Sequence, residues 1–205
     1  MSREVRWRFG QDPAPLRERL ERGGILAFPT ESSYGLGVDP QSATGVGLIY
    51  ELKRRERDKP LPVVIANPAQ LSLLGVDPAH PAVAALARVW PAPLTCSLPT
   101  ALDLPAAAGT GSLAVRVPAH RDLIGLLEVV GPLTATSANP SGEEPLLDPE
   151  AVAAWLAGWD AIVIDGPRLP GGPPSTLVRP AGAAFEVLRP GRFPVSDLPA
   201  IEVQP

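Results

Sequence analysis

The sequence predicts a mixed α/β fold, in which a twisted, mixed β-sheet is flanked by helices. Short apolar runs that are typical of buried strands alternate with segments of helical periodicity along most of the chain. The last two apolar runs are joined through Gly182 and are interpreted as an antiparallel pair. Strands that alternate with helices and end in a hairpin favour a mixed sheet with helices packed against it.

The predicted helices have apolar residues at helical spacing and recognisable ends. Gly23 ends the first helix, and Pro91 lies just beyond the third. Ser42 can cap the second helix, which we expect to end near Leu52 or Lys53. The helices are predicted at residues 15–22, 42–53, 81–90, 122–130 and 151–159.

The predicted strands are short apolar runs bounded by glycine or proline. One run follows Gly24 and stops at Pro29, and another begins directly after Pro60. The strands are predicted at residues 25–28, 61–66, 94–98, 113–117, 132–136, 161–165, 176–179 and 185–188.

The chain of 205 residues is long enough to bury the core of one domain. We expect a single domain at residues 1–192 and an irregular tail at residues 193–205, with no internal repeat. The tail is rich in proline, so it is interpreted as either a strap, which could lie over a site, or a disordered end.

Composition argues against several classes of protein. The net charge of −4 disfavours a protein that coats nucleic acid with its whole surface. The single cysteine, Cys96, cannot form an internal disulfide, and its apolar neighbours favour a core position. No apolar leader follows the charged N-terminus, and no apolar run approaches the roughly 20 residues of a membrane span. We therefore expect a soluble cytoplasmic protein.

The stretch PTESSYGLG, at residues 29–37, places hydroxyls and glycines directly after a predicted strand. In an extended chain Thr30, Ser32 and Tyr34 would share one side, with Glu31 and Ser33 on the other. Loops after strand carboxyl ends commonly bind ligands in α/β folds, which predicts a ligand site here. The alternative is an ordinary turn whose hydroxyls cap nearby backbone groups.

The stretch KRRERDK, at residues 53–59, concentrates five cations and two carboxylates. Lys53 and Arg55 can act together only if the helix ends between them, because residues two apart do not share a helical face. An ammonium and a guanidinium would suit a polyphosphate. The alternative is a solvated helix end that complements the helix dipole.

The stretch TATSANPSG, at residues 134–142, is the second hydroxyl-rich segment after a predicted strand. Ser137 and Asn139 would face one side of an extended chain, and small side chains there could form an anion-binding nest. An Asn-Pro turn with capping hydroxyls is the alternative.

Arg116 lies within an apolar strand, where alternation places it beside Ala114 and Ser112 and opposite Val115 and Val117. A guanidinium in such a strand needs a partner or a cleft. Both a substrate carboxylate and a salt bridge to Asp or Glu would satisfy it.

Several familiar chemistries are absent from the sequence. It contains neither a GxxxxGK[ST] phosphate loop nor a GxGxxG after a strand. His80 and His120 adjoin predicted helix starts and are not expected to act as a catalytic base or a metal ligand. A site of hydroxyls, an amide and cations would work by holding phosphates and stabilising negative charge.

Taken in order, the motifs of this chain resemble the YrdC/TsaC family of threonylcarbamoyl-AMP synthases, in its short, single-domain form. The family pattern runs PTxTxYGLG, KxRxxxxPL, RxP, SAN-x-SG, an ST pair and a late LRPG. Its counterparts here are residues 29–37, 53–61, 116–118, 137–142, 175–176 and 188–191.

The resemblance implies a catalytic set at the ATP site and a neighbouring threonine site. The implied catalytic set is Lys53, Arg55, Ser137 and Asn139. The implied ATP-binding residues are that set with Lys59, Ser112 and Arg189. The implied threonine-binding residues are Thr30, Ser32, Tyr34, Arg116 and Ser175.

The resemblance also implies a nucleotidyltransferase reaction. L-threonine, bicarbonate and ATP would condense to threonylcarbamoyl-AMP with release of pyrophosphate, for N6-threonylcarbamoyladenosine (t6A) modification of tRNA. Mg2+ would accompany ATP without a metal held by the protein, and a tRNA-modifying transferase would be a partner. An RNA-binding module with weak RNA affinity and a paralogue that uses another carbamate or carboxylate substrate are the alternatives.

Overall fold

The computed structural model describes residues 5–202. Its α-helices are α1 (Ala14–Glu21), α2 (Ala43–Lys53), α3 (Pro81–Ala87), α4 (Arg121–Val130) and α5 (Pro149–Trp155). Short 3-10 helices lie at Pro68–Leu74, Pro105–Ala107 and Val195–Asp197. Within this range, none of the helices has the length and hydropathy needed to cross a bilayer.

The strands are short, and most match the predicted apolar runs. They are β1 (Val5–Arg8), β2 (Ile25–Pro29), β3 (Tyr34–Gly37), β4 (Val63–Val64), β5 (Leu94–Pro99), β6 (Ser112–Arg116), β7 (Leu133–Thr134), β8 (Thr136–Ser137), β9 (Ala161–Asp165), β10 (Thr176–Ala181) and β11 (Ala184–Arg189). The predicted hairpin is confirmed, since β10 and β11 pair antiparallel across Gly182. Two strands lie outside the predicted apolar runs: β1, which pairs parallel with β9, and β3.

The strands form two mixed sheets. One sheet has the order β1-β9-β2-β3-β8 and the other has the order β11-β10-β5-β6-β4-β7. Each contains parallel and antiparallel pairs, such as β2 with β9 and β2 with β3, or β4 with β6 and β5 with β6. The mixed α/β class is therefore confirmed, with its strands divided between two sheets.

The apolar run predicted as one strand at residues 132–136 joins the two sheets. Thr134 pairs with Val63 in the second sheet, and Thr136 pairs with Leu36 in the first. Between them, the Ala135 N–H donates to the Pro62 carbonyl at 2.7 Å. A strand that changes sheets in this way has the same apolar pattern as a continuous one, so sequence alone did not reveal the division.

The helix ends follow the predicted capping. Ser42 Oγ accepts the Gly45 N–H at 3.1 Å at the start of α2. After Lys53, Arg54 adopts a left-handed conformation with φ of 50° and ends the helix where expected. His80 and His120 cap α3 and α4 through Nδ1.

The core consists of two apolar clusters, one on each side of the first sheet's central strands. The larger contains Ile25, Tyr34 and Leu36, and the smaller contains Leu26 and Phe28, as expected for strands whose side chains alternate between two buried faces. Cys96 is fully buried in the larger cluster, which confirms its core position, and burial raises the pKa of its thiol to about 12.

The described part of the tail lies along the β10–β11 hairpin. Ile201 is buried, and its N–H donates to the Ala183 carbonyl at 3.0 Å. Arg88 pairs with Glu202 at 2.8 Å. Residues 1–4 of the predicted domain and 203–205 of the predicted tail lie outside the described residues.

Candidate functional site

A cavity of about 570 Å3 opens between the two sheets, a size usual for small-molecule sites. Its floor is the face of β5, β6 and β10, and its walls are the turn between β2 and β3, the segment after α2, and β8. The polar side chains that line it are Thr30, Ser32, Ser33, Tyr34, Arg55, Thr95, Ser97, Ser112, Arg116, Thr136, Ser137, Ser175 and Arg189.

The first wall of the cavity is the turn at residues 30–33. Thr30 Oγ1 and the Thr30 N–H both donate to the Ser33 carbonyl, at 2.7 and 3.1 Å. This tight turn brings Ser33 to the cavity beside Ser32, while Glu31 does not line it. The predicted alternation, with Ser33 facing away, is therefore wrong, because the chain turns here instead of extending.

Tyr34 borders the first wall but its hydroxyl is directed elsewhere. The side chain is fully buried, and its hydroxyl donates to the Pro167 carbonyl at 3.4 Å. Burial raises the pKa of this phenol to about 12. Only the ring and backbone of Tyr34 are thus positioned to contact a ligand.

Arg116 enters the cavity from β6 in the predicted alternation with Ala114 and Ser112, all three of which line it. Its Nη1 donates to Glu31 Oε1 at 3.0 Å, and both side chains are largely buried. The salt bridge that the sequence left open is therefore present, and the guanidinium still lines the cavity.

Arg55 and Lys59 occupy the second wall, just beyond α2. Arg55 lines the cavity and is oriented by the carbonyls of Lys59 and Pro60, at 3.4 Å from Nε and 3.1 Å from Nη2. Lys59 is not a lining residue, and its Nζ pairs with Glu56 at 2.6 Å in a solvent-exposed position.

Lys53 does not line the cavity, although Arg55 does. It is 2% exposed, and its Nζ donates to the Ser137 carbonyl at 2.5 Å and the Asn139 carbonyl at 2.6 Å. Burial, together with the nearby positive charge of Arg55, lowers the pKa of Lys53 to about 8. Its ammonium group therefore holds the backbone of residues 137–139.

The SAN segment presents Ser137 to the cavity and turns Asn139 inward. Asn139 is 5% exposed, and its Nδ2 donates to the carbonyls of Pro140 and Glu143, at 2.8 and 2.7 Å. The amide thus organises the turn that carries Ser137, and the predicted pairing of the two side chains on one face is not observed.

Ser175 and Arg189 complete the cavity near Arg116. Ser175 Oγ lies 2.7 Å from Thr95 Oγ1, and Arg189 Nη2 donates to the Ser175 carbonyl at 3.0 Å. Burial and the charge of Arg116 lower the pKa of Arg189. Two guanidinium groups therefore face the same part of the cavity.

Sequence reasoning missed Thr95, Ser97 and Glu31. Thr95 and Ser97 line the cavity from β5, and Ser97 Oγ lies 3.4 Å from Ser112 Oγ. Two hydroxyls at i and i+2 in an apolar strand were a usable signal, since they share one face of the sheet. The pairing of Glu31 with Arg116 joins residues 85 apart in the chain and left no local signal.

The cavity is positively charged. Its charged lining residues are Arg55, Arg116 and Arg189, and within residues 5–202 no carboxylate side chain lines it. Such a site attracts anions and favours phosphate and carboxylate groups. In the same range, no group of three or more His, Cys, Asp or Glu residues is placed to hold a metal ion.

A family model described as "Telomere recombination", for Sua5, YciO and YrdC proteins, matches residues 18–191. The chain belongs to the Sua5/YciO/YrdC family. The resemblance read from the motifs is thereby confirmed.

Two relatives from this family are similar to the present chain over most of the length of the present chain. The threonylcarbamoyl-AMP synthase of Pyrococcus abyssi is 35% identical over 182 residues, which are 87% of this chain and 54% of that protein. The threonylcarbamoyl-AMP synthase of Thiobacillus denitrificans is 34% identical over 174 residues, 83% of this chain and 92% of that protein. This chain therefore spans about half the length of the Pyrococcus relative.

A solved structure of the family has the same fold. The crystal structure of P. abyssi Sua5 complexed with L-threonine matches with a TM-score of 0.81 at 32% identity, covering 94% of this chain and 58% of that chain.

Proposed function

We propose that this protein is a threonylcarbamoyl-AMP synthase, which condenses L-threonine, bicarbonate and ATP to threonylcarbamoyl-AMP and releases pyrophosphate. The observation that supports this most directly is one cavity in which three arginines converge with the hydroxyls of both Ser/Thr-rich segments. The relatives named threonylcarbamoyl-AMP synthases and the Sua5 structure that contains L-threonine favour the same reaction.

The amino acid would bind at the first wall. Arg116 would take the threonine carboxylate, since charge-assisted pairs of this kind are the strong hydrogen bonds of proteins. Ser175, Ser32 and Thr30 line the same cavity and would accept or donate hydrogen bonds to the hydroxyl and amine. The arginines also disfavour a protonated amine by charge repulsion, and the neutral amine is the nucleophile that the reaction needs.

The nucleotide would bind as its Mg2+ complex toward the second wall. Arg55 and Ser137 would contact the phosphates. Ser112 and Arg189, which line the same cavity, would contact the nucleotide as well, with Arg189 between it and the amino acid at Arg116, and Lys59 would lie at the exposed edge. Lys53 and Asn139 would act indirectly, because their polar atoms hold the backbone of the segment that presents Ser137. We therefore assign them as positioning residues.

The chemistry requires positioning and charge stabilisation. The threonine nitrogen forms a bond to the bicarbonate carbon with loss of water, which gives a carbamate. A carbamate oxygen then bonds to the α-phosphorus of ATP while the bond to the pyrophosphate leaving group breaks. Arginines placed around the developing negative charge stabilise such a step without a protein nucleophile.

The product would serve t6A modification of tRNA in the cytoplasm, through a transferase partner that takes the adenylate. The test of the reaction is pyrophosphate release from MgATP, with L-threonine and bicarbonate both present and then each omitted. Release that requires both supports the proposal, and serine or valine in place of threonine then defines specificity.

Two other results would redirect the proposal. ATP binding without turnover would favour another carbamate or carboxylate substrate. Failure to bind ATP, together with steeply salt-dependent binding of tRNA, would favour an RNA-binding module instead.

A further inference from the structure

Glu31 belongs to the turn that forms the first wall of the cavity, but its side chain does not line the cavity. Its Oε1 accepts from Arg116 Nη1 at 3.0 Å and from the Ala119 N–H at 2.6 Å. Its own carbonyl accepts from Arg192 Nη1 at 3.0 Å. One residue of the turn thus connects to the segment after β6 and to the segment after β11.

The contact between Glu31 and Arg116 uses one end of the guanidinium group. A guanidinium carries five N–H donors in a fixed planar arrangement. Among the described residues, Arg116 Nη1 is the only nitrogen of this group with a hydrogen-bond partner, which leaves Nε and Nη2 available. Arg116 lines the cavity whereas Glu31 does not.

The Glu31 carboxylate could either occupy the position of a substrate carboxylate or orient Arg116, and the geometry distinguishes these two roles. A carboxylate that occupied the substrate position would lie in the cavity, and the favoured geometry would be a bidentate pair with the arginine. Glu31 instead makes a single contact and does not line the cavity, and the backbone N–H of Ala119 fixes its position. Arg116 lines the cavity, and its Nε and Nη2 keep donors for a ligand there.

We propose that Glu31 is a positioning residue that orients Arg116 to bind the carboxylate of the amino-acid substrate. This rests on the proposed function, since it assumes that an amino acid binds at the first wall. Arg116 held in one orientation does not lose side-chain freedom when the substrate binds, and preorganisation of this kind increases affinity.

The test is steady-state kinetics of pyrophosphate release by Glu31→Gln and Glu31→Ala. Glu31→Gln keeps an acceptor but removes the charge, and we expect about a threefold rise in the KM for threonine; Glu31→Ala should raise it about tenfold. Both kcat and the KM for ATP should remain within about twofold of wild type. Glu186→Ala removes an exposed Glu–Arg pair on the terminal hairpin and is the matched control, with no expected change.

A double-mutant cycle with Arg116→Lys separates positioning from general disruption. If Glu31 acts through Arg116, the effect of Glu31→Ala on the KM for threonine should shrink to less than about twofold in the Arg116→Lys background. An unchanged KM in Glu31→Ala overturns the proposal. A lowered KM also overturns it, since it would identify Glu31 as an internal competitor of the substrate.

A readout without substrate keeps this test separate from the test of function. The NMR signal of the Arg116 Nε–H group should be sharp in wild type and Glu186→Ala, and shifted and broadened in Glu31→Gln. If wild type fails to release pyrophosphate with threonine, the proposed function fails, and this signal still decides whether Glu31 orders Arg116. An unaltered signal in Glu31→Gln contradicts that ordering.

Discussion

Lys53 and Glu31 both lie just outside the lining of the same cavity, but they hold different kinds of group. The Lys53 ammonium binds backbone carbonyls of the segment that presents Ser137. The Glu31 carboxylate binds a side chain, Arg116, and one backbone N–H. The comparison indicates that the wall formed by β8 depends on a buried charge for its backbone path, whereas the first wall depends on one for the orientation of a side chain.

Removal of Lys53 and removal of Glu31 should therefore have different effects on stability and activity. Without Lys53, the Asn139 carbonyl loses its partner and the Ser137 carbonyl keeps only the Asn139 N–H, at 3.1 Å. Both folding and catalysis should therefore suffer. Without Glu31, the turn still has its own Thr30–Ser33 hydrogen bonds, so the fold should persist and substrate affinity alone should change.

The largest expected effect is that of Lys53→Met. Because a buried carbonyl left unpaired is costly, and the contact with the Ser137 carbonyl is lost as well, we expect the free energy of unfolding to fall by about 3 kcal/mol and turnover to be lost. Chemical denaturation and pyrophosphate release measure the two effects. Lys59→Met is the control for stability, because its ion pair is exposed and should contribute less than about 1 kcal/mol. Equal stability losses in the two variants would contradict the assigned role of Lys53.

Gly191→Ala tests the contact that supports the first wall from the C-terminal side. A Cβ at this position would lie 2.2 Å from the Pro174 carbonyl oxygen and 2.6 Å from the Thr176 nitrogen. Backbone must therefore move, and we expect a loss of about 1–3 kcal/mol in stability together with a raised KM for threonine, since Arg192 follows directly and contacts Glu31. Gly125→Ala, where nothing lies within 4 Å, is the control and should slightly stabilise helix α4. A Gly191→Ala protein as stable as wild type would show that the backbone of residues 174–176 leaves room for the added methyl group.

The pKa of Lys53 predicts a smaller, pH-dependent effect. Its folded-state value of about 8 lies below the ordinary value of 10.5, so the unfolded chain binds more protons between these two pH values. The Lys53 contribution to stability should therefore rise with pH across that window. Between pH 7.5 and 9.5, the free energy of unfolding of wild type should gain about 1–2 kcal/mol relative to Lys53→Met. A difference that stays constant or falls over this range would contradict the lowered pKa.

The sequence predicted the parts of the site that depend on local periodicity. The alternation of Ser112, Ala114 and Arg116 on one strand face, and the end of α2 at Lys53, are both confirmed. Those features follow from backbone geometry over a few residues.

The features that the sequence did not predict depend on long-range contacts. A run of charges such as KRRERDK has the same pattern whether Lys53 is solvated or buried, and only the position of residues 137–139 decides between them. The partner of Arg116 was likewise one of several possible carboxylates until the fold placed Glu31 beside it. Tyr34 lines the cavity and Asn139 lies beside its lining residue Ser137, but the direction of their polar atoms depends on Pro167 and Glu143.

The most direct test of the two-wall arrangement is a crossed calorimetric titration of Arg116→Ala and Arg55→Ala with L-threonine and with MgATP. We expect Arg116→Ala to weaken threonine binding by about tenfold to a hundredfold with ATP binding nearly unchanged, and Arg55→Ala to show the reverse pattern. Equal losses of both ligands in both variants, with unchanged thermal stability, would contradict the assignment of the two ligands to separate walls.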